Sequence, residues 1–114
     1  MMSTAYYARL DPKRPAAFSR FVVTKMLRGD LGFDGVVISD DLANAQQVAR
    51  FSPGARAVRF IRAGGDLVLS VDPAPVPEMY AAVLRRARTN ARFQDLVDAA
   101  ALRVLRAKQA RGLL

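Results

Sequence analysis

The stretch Gly32-Phe33-Asp34-Gly35-Val36-Val37-Ile38-Ser39-Asp40-Asp41-Leu42 decides how this chain is read. Gly35 to Ile38 is small, apolar and rich in β-branched residues. A run of that kind predicts a strand over 35–39, buried on both faces. It leads straight into Ser39 and two adjacent carboxylates. Buried parallel strands in α/β proteins present their chemistry at their carboxyl ends. Asp40 stands at that end, where a strand aims a side chain into a site.

The flanking sequence supplies the rest of an α/β pattern. Residues 1–18 read as irregular, with a loop signature at Asp11-Pro12-Lys13-Arg14-Pro15. Ser19 offers an N-cap oxygen, and Phe21, Val22, Met26 and Leu27 recur at helical spacing, so 20–30 is predicted as a helix stopped by Gly32. Good helix formers at 42–50 predict a second helix. Ser52-Pro53-Gly54 breaks it, with Ser52 capping a further helix over 55–63 and Pro53 in its first turn. Gly64-Gly65 ends that helix. Asp66 to Ser70 reads as a second buried strand. A proline-rich loop, Val71 to Pro77, then precedes helices over 77–89 and 91–111.

Two buried strands joined by a helical crossover are parallel. A covered parallel sheet normally has more than two strands. The pattern is therefore expected to be the end of a larger architecture.

Composition narrows the chemistry. The 114 residues are 52% hydrophobic and 25% charged, a globular balance. No apolar run approaches the ~20 residues of a membrane span, so no membrane partner is expected. Met1 to Tyr7 lacks the pattern of a signal peptide, and taken literally the chain is expected to be cytoplasmic. Without cysteine there are no disulfides or thiolate metal sites. Without histidine the chain supplies no imidazole base, no histidine metal ligand and no Ser-His-Asp triad. Neither a metal nor a cofactor is expected.

The net charge of +8 raises a nucleic-acid partner. The fifteen arginines, however, spread over several segments without interleaved aromatics. Solvated helix faces account for them better, and no nucleic-acid partner is expected.

At this point a family resemblance carries further. Leu27 to Leu42 closely resembles the nucleophile segment of family 3 glycoside hydrolases, most of all the β-N-acetylhexosaminidase branch with its S-D-D-L. Ser3 to Tyr7 and Pro15 to Ser19 resemble the end of the sixth strand of that family's barrel and the loop after it. Ala63 to Leu69 resembles the eighth strand. Val104 to Lys108 with Gly112-Leu113-Leu114 resembles the end of the catalytic domain.

The resemblance implies a partial (β/α)8 TIM barrel. Residues 1–114 would be the C-terminal portion of the catalytic domain, from the sixth strand's end through the eighth helix plus a C-terminal helix. A whole barrel takes about 250 residues. It also implies retaining hydrolysis of a terminal β-linked N-acetylhexosaminide, with Asp40 at the nucleophile position. The branch's acid/base histidine and its sugar-binding lysine-histidine motif lie earlier in the domain. Neither is in this chain, so a truncated and inactive chain is expected. The alternative is a non-catalytic α/β module that self-associates or docks onto a complementary barrel fragment.

Each candidate residue has a second use. Asp40 could cap the following helix, but the surrounding match favours the nucleophile position. Asp41 is expected to brace the turn. Ser39 and Ser70 are weak substrate-binding candidates beside packing and turn roles, and Asp72 shares Ser70's rim. Asp66, at the opposite end of its strand, reads as structural. Arg28 reads as solvated or salt-bridged. Tyr6 and Tyr7 read as barrel packing or a stacking wall for sugar. Gly64-Gly65 is a tight turn, since no G-x-G-x-x-G follows.

Overall fold

The structure is a computed structural model describing residues 1–114. Two strands, β1 (Ile38–Asp41) and β2 (Leu67–Leu69), lie side by side and parallel. The helix α1 (Pro53–Ala63) makes the crossover between them. On the other side of β1, Met2 pairs with Ser39 in parallel: its N–H donates to the Ile38 carbonyl at 2.7 Å, and its carbonyl accepts from Asp40 at 2.8 Å. Two long helices, α2 (Val76–Thr89) and α3 (Ala91–Gln109), complete the α/β arrangement. No helix is long and apolar enough to cross a membrane.

The predicted strand at 35–39 is displaced toward its carboxyl end. Gly35 gives its carbonyl to Arg28 rather than to a ladder, at 3.1 Å. Val37 is the first residue to face β2, accepting from both Asp66 and Leu67. The pairing then slips by one residue, because Ile38 faces Leu67 while Asp41 faces Leu69. This is a bulge on β1, and Ser39 fills it. The Ser39 hydroxyl accepts the Leu69 N–H at 2.9 Å in place of a main-chain carbonyl. Burial on both faces holds for Val37 and Ser39 only; Ile38 is half-buried and Leu67 is 43% exposed.

The predicted helix at 20–30 forms as a π-helix over Phe21–Asp30, closed by a bond from the Leu31 N–H back to Met26. Ser19 caps it, accepting from the Val22 N–H at 3.2 Å. The helix predicted at 42–50 does not form. The segment is a turn followed by one 3-10 turn over Gln46–Val48. Two competitors account for this. Asp41 captures the Ala43 and Asn44 N–H groups, and Arg56 captures carbonyls that a helix would have used. Tertiary bonds here override local propensity.

From residue 52 onward the expected elements form nearly where predicted. Ser52 accepts from the Ala55 N–H, Pro53 opens α1, and Gly64 closes it in the left-handed region at φ 109°. Gly65 serves a different need. A Cβ there would lie 2.2–2.5 Å from the ring of Phe60, which is fully buried. Phe60 joins Leu42, Val23, Val48, Val37, Ala57 and Met79 in one core cluster. Burying each large side chain contributes about 1.5–3 kcal/mol. The cluster therefore fastens α1 and the segment after Asp41 onto the back of β1.

Candidate active site

The carboxyl end of β1 is built from the main chain outward. Asp40 is exposed, and one of its carboxylate oxygens accepts the Asp41 N–H at 2.7 Å. Its backbone N–H is held by Met2. The residue is thus fixed by strand pairing on one side while its carboxylate faces outward.

Asp41 does the opposite work. Its carboxylate accepts three backbone N–H groups: Ala43 at 2.9 Å, Asn44 at 2.9 Å and Val71 at 3.0 Å. The first two shape the turn after β1. The third ties that turn to the loop after β2. Burial pushes the Asp41 carboxyl up. The bonds from Val71, Ala43 and Asn44, with the Arg56 charge, outweigh it and hold the group below its ordinary value of 3.8. The expected bracing role of Asp41 is what the geometry displays.

Arg56 went unnoticed in the sequence and is the main organiser of the loop. Only 9% exposed, it has no carboxylate within ion-pair distance. Its guanidinium donates instead to the carbonyls of Leu42 (2.9 Å), Ala43 (2.7 Å), Val48 (3.1 Å) and Phe51 (2.8 Å). A planar fork with five N–H donors suits this cage, and a lysine would not. One signal was available: residue 56 shares the face of α1 that carries Phe60 and Ala63. A charged residue on an apolar helical face announces a buried partner set.

The other candidates separate clearly. Ser39 is fully buried and its hydroxyl lies in the bulge, so it holds β1 to β2. The Ser70 hydroxyl donates to the Asp72 carbonyl at 2.6 Å, and Asp72 accepts from the Ala74 N–H, so both shape the loop after β2. Tyr6 and Tyr7 are 41% and 47% exposed rather than packed, and the Tyr6 hydroxyl accepts from Arg50 at 3.3 Å.

Asp66 lies at the other end of β2 with no exposed side-chain surface. It accepts from Arg28 at 2.6 Å, from Arg103 at 2.8 Å and from the Val37 N–H at 2.8 Å. Arg28 is therefore the salt-bridged arginine, and it also donates to the Gly64 carbonyl. The two ends of the small sheet differ in kind. The amino end is a neutralised, buried network, and the carboxyl end leaves a carboxylate facing out. No group of three or more acidic side chains is arranged to hold a metal ion.

Known proteins agree with this reading at the level of family. A crystal structure of a Beta-N-acetylhexosaminidase from Beutenbergia cavernae is similar with a TM-score of 0.92 and 53% sequence identity, covering 94% of this chain and 32% of that one. A glycoside hydrolase family 3 beta-N-acetylglucosaminidase from a Paenibacillus species is similar with a TM-score of 0.85 and 30% identity, covering 97% of this chain and 22% of that one. Among curated proteins, a Beta-hexosaminidase of Xanthomonas oryzae is 34% identical over 102 residues, 90% of this chain. The chain spans 30% of that relative's length. Residues 1–107 match the glycosyl hydrolase family 3 N terminal domain, and the chain belongs to that family.

Proposed function

We propose that these residues supply the nucleophile side of a retaining β-N-acetylhexosaminidase site, with Asp40 as the nucleophile. The observation that carries this is the exposed Asp40 carboxylate at the end of β1, which accepts the Asp41 N–H and stands beside a loop fixed by the Asp41 carboxylate and Arg56. The names of the similar proteins support the substrate class, a terminal β-linked N-acetylhexosaminide. We place residues 1–114 in the C-terminal portion of a (β/α)8 catalytic barrel. The Met2 pairing would then be the sixth strand, β1 the seventh and β2 the eighth.

In this mechanism an Asp40 oxygen attacks the anomeric carbon as the glycosidic C–O bond breaks, giving a glycosyl-enzyme. A proton donor neutralises the departing oxygen, and the same group then takes a proton from the water that releases the sugar. Asp41 and Arg56 do not touch the sugar. They hold the loop so that the Asp40 carboxylate needs little reorganisation, which is how positioned groups lower a barrier. The chain contains no histidine, the residue type that its resemblance implies for the proton donor. Residues 1–114 alone are therefore expected to be inactive, since loss of the general acid removes roughly 10²–10⁴-fold.

A second reading is a docking module. It is favoured by β2, where Leu67 is 43% exposed beside two short strands. Its occupant would be the rest of such a barrel or a second copy.

The test is a chimera. The matching third of the Beutenbergia cavernae protein is replaced by this chain, and release of an aryl group from an aryl β-N-acetylglucosaminide is followed. Asp40→Asn is expected to lower turnover by about 10³-fold or more. Turnover within about threefold of the parent chimera would sink the nucleophile assignment.

A further inference from the structure

An open groove of about 810 Å³ lies away from Asp40. It lies where the 11–18 loop, the π-helix, α1, α2 and the start of α3 meet. Six arginines line it: Arg14, Arg20, Arg59, Arg62, Arg86 and Arg92. Asp11 is the one acid on its wall. That acid is already engaged by the Ser19 hydroxyl at 2.8 Å and by Arg14 at 3.5 Å. None of Ser39 to Asn44 or Ser70 to Pro73 borders the groove.

The chain's arginines divide into two populations. Arg28, Arg56 and Arg103 are sheltered and bonded to carboxylates or carbonyls. Arg20, Arg59, Arg62, Arg86 and Arg92 are exposed and have no carboxylate within ion-pair distance. They come from segments far apart in sequence, so no single helix's charge pattern accounts for their meeting. Arg59 is also oriented, its guanidinium stacked 4.3 Å from the centre of the Phe51 ring. A smaller groove of about 300 Å³ shares Arg14, Phe18 and Arg59 and adds Lys13 and Arg50.

Gathering like charges around a concavity raises the free energy of the empty form and focuses field on an anion. Guanidinium forks match phosphate oxygens in pairs. Of the groove's aromatic rings, Phe18 and Phe93 are buried and only Phe21 is exposed, at 42%, so there is no row of faces on which successive bases could stack. The volume suits a small molecule. A monovalent anion would leave most of the forks unmatched.

We propose that this groove binds a small anion bearing two or more phosphate groups, at a site separate from the Asp40 end and independent of the glycosidase reading. Binding of tripolyphosphate to the 114-residue chain is measured by calorimetry in low salt. The groove variant Arg62→Gln/Arg86→Gln is compared with Arg106→Gln/Arg111→Gln, which removes the same charge from the exposed last turn of α3 and the turn after it. Thermal melts confirm that each variant folds, and Arg20→Gln/Arg92→Gln replaces the first groove variant if it does not. The expected result is affinity about tenfold or more weaker in the groove variant and within about threefold of wild type in the control. Equal losses in both would show a general charge effect and overturn the proposal. So would absence of binding, equal affinity for citrate or for a hexaglutamate peptide, or preferential binding of a single-stranded DNA oligomer.

Discussion

Asp66 and Arg103 stand 37 residues apart in sequence and meet at 2.8 Å. The pair pins α3 to the base of β2, on a carboxylate with no exposed surface that also holds Arg28 and the Val37 N–H. Charge is essential to this arrangement, since two guanidinium groups converge on one carboxylate. Asp66→Asn keeps the shape and removes the charge. It is expected to destabilise the fold by about 3 kcal/mol, the scale for breaking a sheltered pair from one side. Urea unfolding measures it. A loss below about 0.5 kcal/mol would mean that the network contributes little.

Arg56→Met fills similar space but leaves the carbonyls of Leu42, Ala43, Val48 and Phe51 without their donor. The expected destabilisation is about 2–4 kcal/mol. Arg56→Lys recovers only part of it, because an ammonium cannot span the same fork. Amide exchange of residues 42–51 should rise in both variants. Unchanged exchange there would refute the role assigned to Arg56 in holding the loop.

At Gly65 an added methyl would meet the Phe60 ring at 2.2–2.5 Å. Phe60 is fully buried in the core cluster with Val23, Leu42 and Val48, so its ring can yield only by displacing packed neighbours. Gly65→Ala is expected to destabilise by about 1–3 kcal/mol through overpacking. Differential scanning calorimetry checks it. Gly112→Ala is a useful comparison, because nothing lies within 4 Å there and only its positive φ of 67° is strained.

Asp41 makes stability depend on acid. Its folded-state value is depressed below 3.8, first because its three backbone bonds outweigh the opposing effect of burial. A depressed carboxylate contributes stability that is fully present above its unfolded value. That stability is lost as pH falls through the folded value. The chain is expected to lose stability below about pH 4, and Asp41→Asn to flatten that part of the profile. Chemical denaturation at pH 7, 4 and 3 tests this. A mutant profile parallel to wild type would assign the acid sensitivity elsewhere, with Asp11 the next candidate, since its Ser19 bond also holds it low.

Local rules were sufficient where the chain's own neighbours provide the partners. The Ser52 cap, Pro53 in the first turn and the left-handed Gly64 lie within one helix and its ends. The helices after residue 76 follow from periodicity. The apolar run into Ser39-Asp40-Asp41 located the strand end and the exposed carboxylate, although the strand itself starts later. The failure at 42–50 has the opposite cause. Its helix-forming residues were read correctly as such, but their backbone groups are claimed by Asp41 and by an arginine on the next helix.

The same distinction runs through the site. Which residue carries the carboxylate, and that the chain holds no imidazole to partner it, is legible in the order of residues alone. The Ser39 bulge, the Arg56 cage, the Asp66 network and the arginine-lined groove are not. Each joins groups from elements that approach only once the core has formed around Phe60. Short-range propensity and pattern extend over a few residues along the chain, whereas burial and hydrogen bonding are satisfied in space.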